Sequence, residues 1–278
     1  MALPEVPNWL LVVLLILTLF PFLPQLYRIF SRKDSSGISA YYVFFNLISA
    51  TEQFTIAFFL NMNTHKRCDF FVHDPATAGD WINLAQLGLV WILWLMLFIV
   101  YLYFPSDCRS GSKPFIVVAY AVFSLVSIVP IFYDYLAPPT DDSCGDWGPE
   151  FCRNMIEGMF YYLHLVIINK GIPVLLIVAL FLQARQMLLR PEARALSRIG
   201  LAAQAVVFAI VAVSWTMRVK VPNDSTGKRS WYDEIGWVVV DNVIFAVAQG
   251  LLLCISWRRT ATRISKVEEG EREPLVRG

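Results

Sequence analysis

The stretch PFLPQLYRIFSRKDSSGIS, Pro21 to Ser39, places two prolines and a glutamine at the end of an apolar run and follows them with a basic turn. In a soluble protein a helix would simply end there. Upstream, however, Trp9 to Phe20 carries no charge, and downstream Ile38 opens another long apolar run. A helix that stays in a bilayer while being bent reconciles the two. Pro24 has no amide proton, so the Phe20 carbonyl four residues earlier loses its helical partner. In hydrocarbon that carbonyl must find another donor, and the Gln25 side chain can supply one. Pro24 and Gln25 therefore read as a hinge, with a kink that serves only packing as the competing reading.

Working outward, the 278 residues are 57% hydrophobic and only 16% charged, against about 25% charged in soluble domains. A membrane span needs roughly 20 mostly apolar residues. Seven runs qualify: Trp9–Tyr27, Ile38–Leu60, Trp81–Phe104, Phe115–Leu136, Met159–Leu182, Ile199–Met217 and Ile235–Trp257. The fold class is all-α, a polytopic membrane protein. The first run reads as a retained helix, because Met1–Asn8 has no basic residue and the apolar stretch outruns a signal-peptide core. A net charge of +1 argues against a nucleic-acid partner.

Lysine and arginine near span ends set orientation. With the N-terminus outside or lumenal, 15 of the 23 basic residues face the cytosol and seven the other side, Lys170 lying within a span. Cys68, Cys144 and Cys152 then fall on the non-cytosolic side, where disulfides persist. Cys144–Cys152 would be a local clip, although three cysteines leave the pairing open. Asn223 heads a glycosylation sequon on the same side. The cysteines lack metal spacing and the three histidines are scattered, so neither a metal site nor a cofactor is expected.

Seven spans arranged as three plus one plus three would require the fifth to echo the first. Placing Gln183 on Gln25 aligns LFLQARQMLLRPEARALS with FLPQLYRIFSRKDSSGIS; Arg190 falls on Arg32, and Ser197 on Ser39. In each copy the serine follows the glutamine by 14 residues. Pro24 is matched by Leu182, and the nearest proline in the second copy is Pro173. Parallel repeats of this kind occur in transporters, and a single linking helix keeps the two units parallel. The expected organisation is a first three-helix repeat over 1–104, a linker helix and lumenal loop over 105–157, a degenerate second repeat over 158–257, and a charged cytosolic tail over 258–278.

Pro24-Gln25, the basic stretch and SSGIS at Ser35–Ser39, followed by a helix bearing Asn46, resemble the PQ-loop motif. That motif occurs in lysosomal cystine and cationic amino-acid exporters, SWEET sugar carriers and, more distantly, KDEL receptors. The tract VVVDNVIFAVAQGLL resembles the seventh helix of the cystinosin-like branch, where a membrane aspartate precedes a phenylalanine and a glutamine. The resemblance implies a seven-helix carrier for a small polar solute coupled to protons, in an endomembrane such as a vacuole or lysosome, or in the plasma membrane.

Polar residues inside spans are the candidate site, because an ionisable group near the midplane costs about 2.5–3.5 kcal/mol or more. Asn46, Ser49 and Gln53 form one stripe of span two, and Asp241, Asn242, Phe245 and Gln249 fall within about 100° of arc on span seven. Candidate solute ligands are Asn46, Gln53, Gln86, Asn169, Asn242 and Gln249. Candidate proton-coupling groups are Asp241 and Glu52, with Lys170 expected to pair with one of these acids. His164 reads as a helix-packing hydrogen-bonder. The expected partners are a small-molecule solute, protons and the bilayer, with a homo-oligomer left open. Two other classes remain: a membrane-embedded cyclase or tailoring enzyme using Glu52 and Asp241 as acids, and a seven-helix receptor or sorting protein.

Overall fold

The structure is a computed structural model that describes residues 6–62, 71–73, 76–106, 112–136, 158–189, 196–218 and 231–272. Cys144, Cys152 and Asn223 lie outside the described residues. Among the described residues, seven helices are long and apolar enough to cross a membrane. They are α1 (Asn8–Arg32), α2 (Ala40–Met62), α3 (Ala78–Tyr103), α4 (Ser112–Leu136), α5 (Gly158–Leu189), α6 (Arg198–Arg218) and α7 (Trp237–Arg272). The described residues hold no strand. Each expected span coincides with one helix. The fifth runs on past Leu182 to Leu189, because Gln183, Ala184, Arg185 and Gln186 are good helix formers that tolerate the membrane surface.

Burial ranks the helices. The apolar window of α2 is 78% buried, whereas that of α4 is only 22% buried. Val118, Val122, Leu125 and Val129 of α4 are exposed, as a lipid-facing surface requires. On α2 the buried set includes Asn46, Ser49, Thr51, Glu52, Gln53 and Thr55, so its polar residues point inward. Helix α3 packs on both α1 and α2, and α7 packs on both α5 and α6. Between these groups α2 meets α5, and α6 meets the bend of α1. Helix α4 rests against α2.

The bend in α1 has a different internal solution from the one its sequence suggests. Phe20–Phe22 is a 3₁₀ turn between two α-helical halves, and the Leu23 N–H donates to the Phe20 carbonyl. The tighter turn thus supplies a donor to the carbonyl that Pro24 strands, while the Gln25 amide oxygen accepts from another helix start. Close approach fixes the neighbour here. A Cβ on Gly200 of α6 would lie 3.3 Å from the Pro21 carbonyl oxygen. In α5 the corresponding distortion is a π-helical stretch, Tyr161–Ile168, ahead of Pro173. The carbonyl freed by Pro173 is that of Asn169, and it accepts a 3.1 Å hydrogen bond from the Tyr232 hydroxyl.

Helix α3 starts with a capping box. The Thr77 hydroxyl accepts from the Asp80 N–H, while the Asp80 carboxylate accepts from the Thr77 N–H at 2.8 Å. The same carboxylate accepts from the His73 N–H at 3.2 Å. Preceding it, Phe71 is stacked between Trp215 and Trp237, at 5.9 Å from each ring. Thr77→Ala removes the cap and is expected to cost about 1 kcal/mol of stability. A lowered thermal unfolding midpoint in lipid nanodiscs with unchanged helix content checks it; an unmoved midpoint excludes it.

Candidate functional site

The site is assembled from four polar groups along the bundle, beginning at the end that carries the α1–α2 turn. Lys33, with φ 52°, terminates α1, and Gly37, with φ 90°, carries the chain through the turn. Only glycine adopts that second conformation without strain. Ser39 and Ser197 directly precede α2 and α6, and each passes its carbonyl to the N–H four residues on. The Ser197 N–H donates to Gln25 Oε1 at 2.7 Å. Reciprocally, the Ser39 N–H donates to Gln183 Oε1 at 2.8 Å. Gln183 Nε2 also donates to the Gly37 carbonyl at 2.9 Å. Each glutamine therefore holds the helix start that belongs to the other sequence copy. Gln25 and Gln183 are both buried.

An aromatic layer lies deeper. Trp94 meets Phe22, Tyr42 and Phe245 edge-on at 5.6–5.8 Å, and Phe208 closes on Phe22 and Phe245. Trp94 borders two cavities. One is lined by Gln25, Tyr42, Gly200 and Gln204, and the other by Asn46, Ser49, Gln53, Asp241, Asn242 and Phe245. The second is the polar chamber. In it Gln53 Nε2 donates to Asp241 Oδ2 at 3.2 Å, and Asp241 Oδ1 is buried without a hydrogen-bond partner. Asn46 and Asn242 donate their amide N–H groups to the Tyr42 and Val238 carbonyls at 2.7 Å. That leaves their side-chain oxygens as acceptors toward a polar solute.

Three of the six candidate solute ligands, Asn46, Gln53 and Asn242, therefore meet Asp241 in this chamber. Gln249 sits outside it and accepts from the Tyr42 hydroxyl at 3.0 Å. Asn169 is buried with neither side-chain polar atom bonded, and it does not line the chamber. Gln86 belongs to a separate cluster at the far end. There Arg218 Nη1 donates to Gln86 Oε1 at 2.6 Å and to Asn83 Oδ1 at 2.9 Å. Gln86 Nε2 in turn donates to the Thr18 hydroxyl at 2.9 Å. The guanidinium lies 4.5 Å from the Trp215 ring centre, within cation–π range. This bridge joins α6 to α3 and α1. In sequence Arg218 reads as a loop cation, being the last residue before a polar segment. What marks it is the aromatic Trp215 three residues earlier, on the same helical face.

The acids are matched differently from the expected Lys170 pairing. Glu52 is held by His164, whose Nδ1 lies 3.0 and 2.9 Å from the two carboxylate oxygens. Both side chains are completely buried. Lys170 lies on the exposed face of α5, six residues beyond His164. His164 is buried whereas Lys170 is exposed, so the two occupy different faces of α5, and the histidine is the one that reaches α2. Among the described residues no group of three His, Cys, Asp or Glu side chains has metal-binding geometry.

Seven apolar spans among the described residues, with a polar chamber between them, define an integral multi-pass membrane protein. The chain carries a PQ loop repeat: the family model of that description matches residues 6–62, from the start of α1 through the end of α2, in line with a PQ-loop membrane protein family. No curated protein and no solved structure matches the chain.

Proposed function

We propose that this protein is a carrier for a small polar metabolite such as an amino acid, driven by protons and working by alternating access. Two three-helix units joined by α4 would rock about the chamber. The observation that carries the reading is the reciprocal pair of bonds, Gln25 to Ser197 and Gln183 to Ser39. A stable single-state bundle has no need of two equivalent, breakable hydrogen bonds exchanged between sequence copies at one mouth. A carrier needs such a latch. The chamber suits a solute with donors and acceptors of its own, because Asn46, Ser49, Gln53 and Asn242 offer both. With the N-terminus lumenal, the latch closes the cytosolic side and the Arg218 bridge lies at the lumenal side.

The test is uptake of a panel of radiolabelled amino acids by proteoliposomes, with and without an imposed pH gradient. Gradient-stimulated uptake of at least one is expected; uptake of none, by protein shown to be folded, overturns the reading. Pro24→Ala supplies a second check. Membrane insertion needs hydrophobicity whereas turnover needs the bend, so this variant is expected to insert and fold normally and to transport much more slowly. Unchanged turnover would assign the kink to packing.

A further inference from the structure

The chamber acid is not alone. Glu52 precedes Gln53 on α2, so the residue bonded to Asp241 is the chain neighbour of the residue bonded to His164. Gln53 therefore ties Asp241 of α7 to the Glu52–His164 pair through one step of the α2 backbone. His164 is stacked on Phe160 at 4.3 Å, and Phe160 is stacked on Phe59 at 4.2 Å. Its Nε2 is buried without a hydrogen-bond partner. Three ionisable groups from three helices thus share one buried region: Glu52 of α2, His164 of the π-helical stretch in α5, and Asp241 of α7.

The other ionisable groups on the packed elements are placed elsewhere. Tyr120 of α4 bonds Thr51 and Trp91, and Tyr232 bonds the Asn169 carbonyl. Asp80 of α3 is held by His73 and Thr77 at the helix start, and Lys170 faces outward. The side chains of Asp134, Asp233 and Glu234 lie outside the described residues.

Charge counting then fixes the proton content. With no proton bound, the three groups carry two negative charges and no positive one. A bare carboxylate in such surroundings is strongly disfavoured unless it is paired. The cluster becomes neutral only with two protons: one within the hydrogen-bonded Glu52–His164 pair and one on Asp241. We propose that Glu52, His164 and Asp241 act as one three-group proton site holding two protons in this closed form, with the Glu52–His164 pair setting the pH at which Asp241 releases its proton. Release breaks the Asp241 O–H bond and passes the proton to water on whichever side the chamber opens. The cluster is left with one net negative charge, which a cationic or zwitterionic solute bearing an ammonium group can offset. Glu52 and His164 are positioning residues here and need not touch the solute.

The proposal rests on the reading of Asp241 as the coupling group, and the experiment separates the two. The purified full chain in lipid nanodiscs is titrated without solute by infrared difference spectroscopy. The Asp241 signal is the protonated-carboxyl C=O band that disappears in Asp241→Asn. His164→Gln leaves Glu52 without its counter-charge, so two like carboxylates share the region, and the band is expected to persist to a pH about one unit higher. Glu52→Gln removes the negative neighbour and should move the midpoint in the opposite direction. Glu52→Gln with His164→Gln restores a neutral, hydrogen-bonded neighbour, and its midpoint should return toward that of the native protein; it also guards against a single variant failing to fold. Midpoints unmoved in both single variants, or moved in the same direction, overturn the three-group site while leaving Asp241 as a coupling acid. Absence of any Asp241-dependent band across the whole titration overturns the coupling reading itself.

Discussion

Asp241→Asn is expected to abolish gradient-driven accumulation while sparing part of the solute-for-solute exchange. Asp241 lies in the chamber wall with one carboxylate oxygen held by Gln53 and the other without a partner. The asparagine keeps the shape and resembles the protonated acid, but it has no proton to release. Exchange does not require that release, whereas net uptake does. Each pH unit of gradient supplies about 1.4 kcal/mol per coupled proton, a tenfold concentration ratio, and it is this accumulation that should vanish. The comparison is made in proteoliposomes, with the amino acid identified by the uptake panel, under imposed gradient and under exchange. Full acid dependence surviving in Asp241→Asn but lost in Glu52→Gln would move the coupling acid from α7 to α2.

Gln25→Ala combined with Gln183→Ala is expected to open the end of the bundle that carries the α1–α2 turn. Each substitution removes the acceptor of a helix-start N–H, at Ser197 and Ser39 respectively. A polar group left unsatisfied in a buried position costs about 1–3 kcal/mol. The two sites lie at one mouth, so together they should shift the population by a factor of ten or more toward forms in which water reaches these groups. A cysteine placed at Gln204, in the cavity beside Gln25, reports this in a background lacking the native cysteines. It should react with a water-soluble thiol reagent markedly faster in the double variant, with net transport lost. If the thermal unfolding midpoint falls while the labelling rate stays constant, the bonds hold the fold and gate nothing.

Much of the architecture was legible in the sequence, because a bilayer imposes a strict rule on it. Every backbone group must be satisfied within the span, so length and hydrophobicity alone locate the seven spans, although α1, α5 and α7 run on past them to Arg32, Leu189 and Arg272. Aligning Gln25 with Gln183 sets Ser39 on Ser197 at the same interval, even though Pro24 has no counterpart, and these four residues are the ones that bond one another. The stripe of Asn46, Ser49 and Gln53 on α2 and that of Asp241 and Asn242 on α7 each follow from helical periodicity. None of these readings required knowing which helix touches which.

Partnership was decided by tertiary structure. Sequence places each glutamine 14 residues before the serine aligned with it, yet the bonds run crosswise, because α6 packs on the bend of α1 and α2 packs on α5. Gln86 stands among the candidate solute ligands by sequence, but Arg218 and Thr18 draw it into a separate bridge. Lys170 and His164 lie on one helix, and only its packing against α2 brings the imidazole to Glu52 while Lys170 stays exposed. Hydrophobic pattern along a chain reports the environment of each residue, since burial is a property of one face of one helix. A hydrogen bond between helices depends on two rotations and a relative height, and these are set by close packing of side chains far apart in sequence.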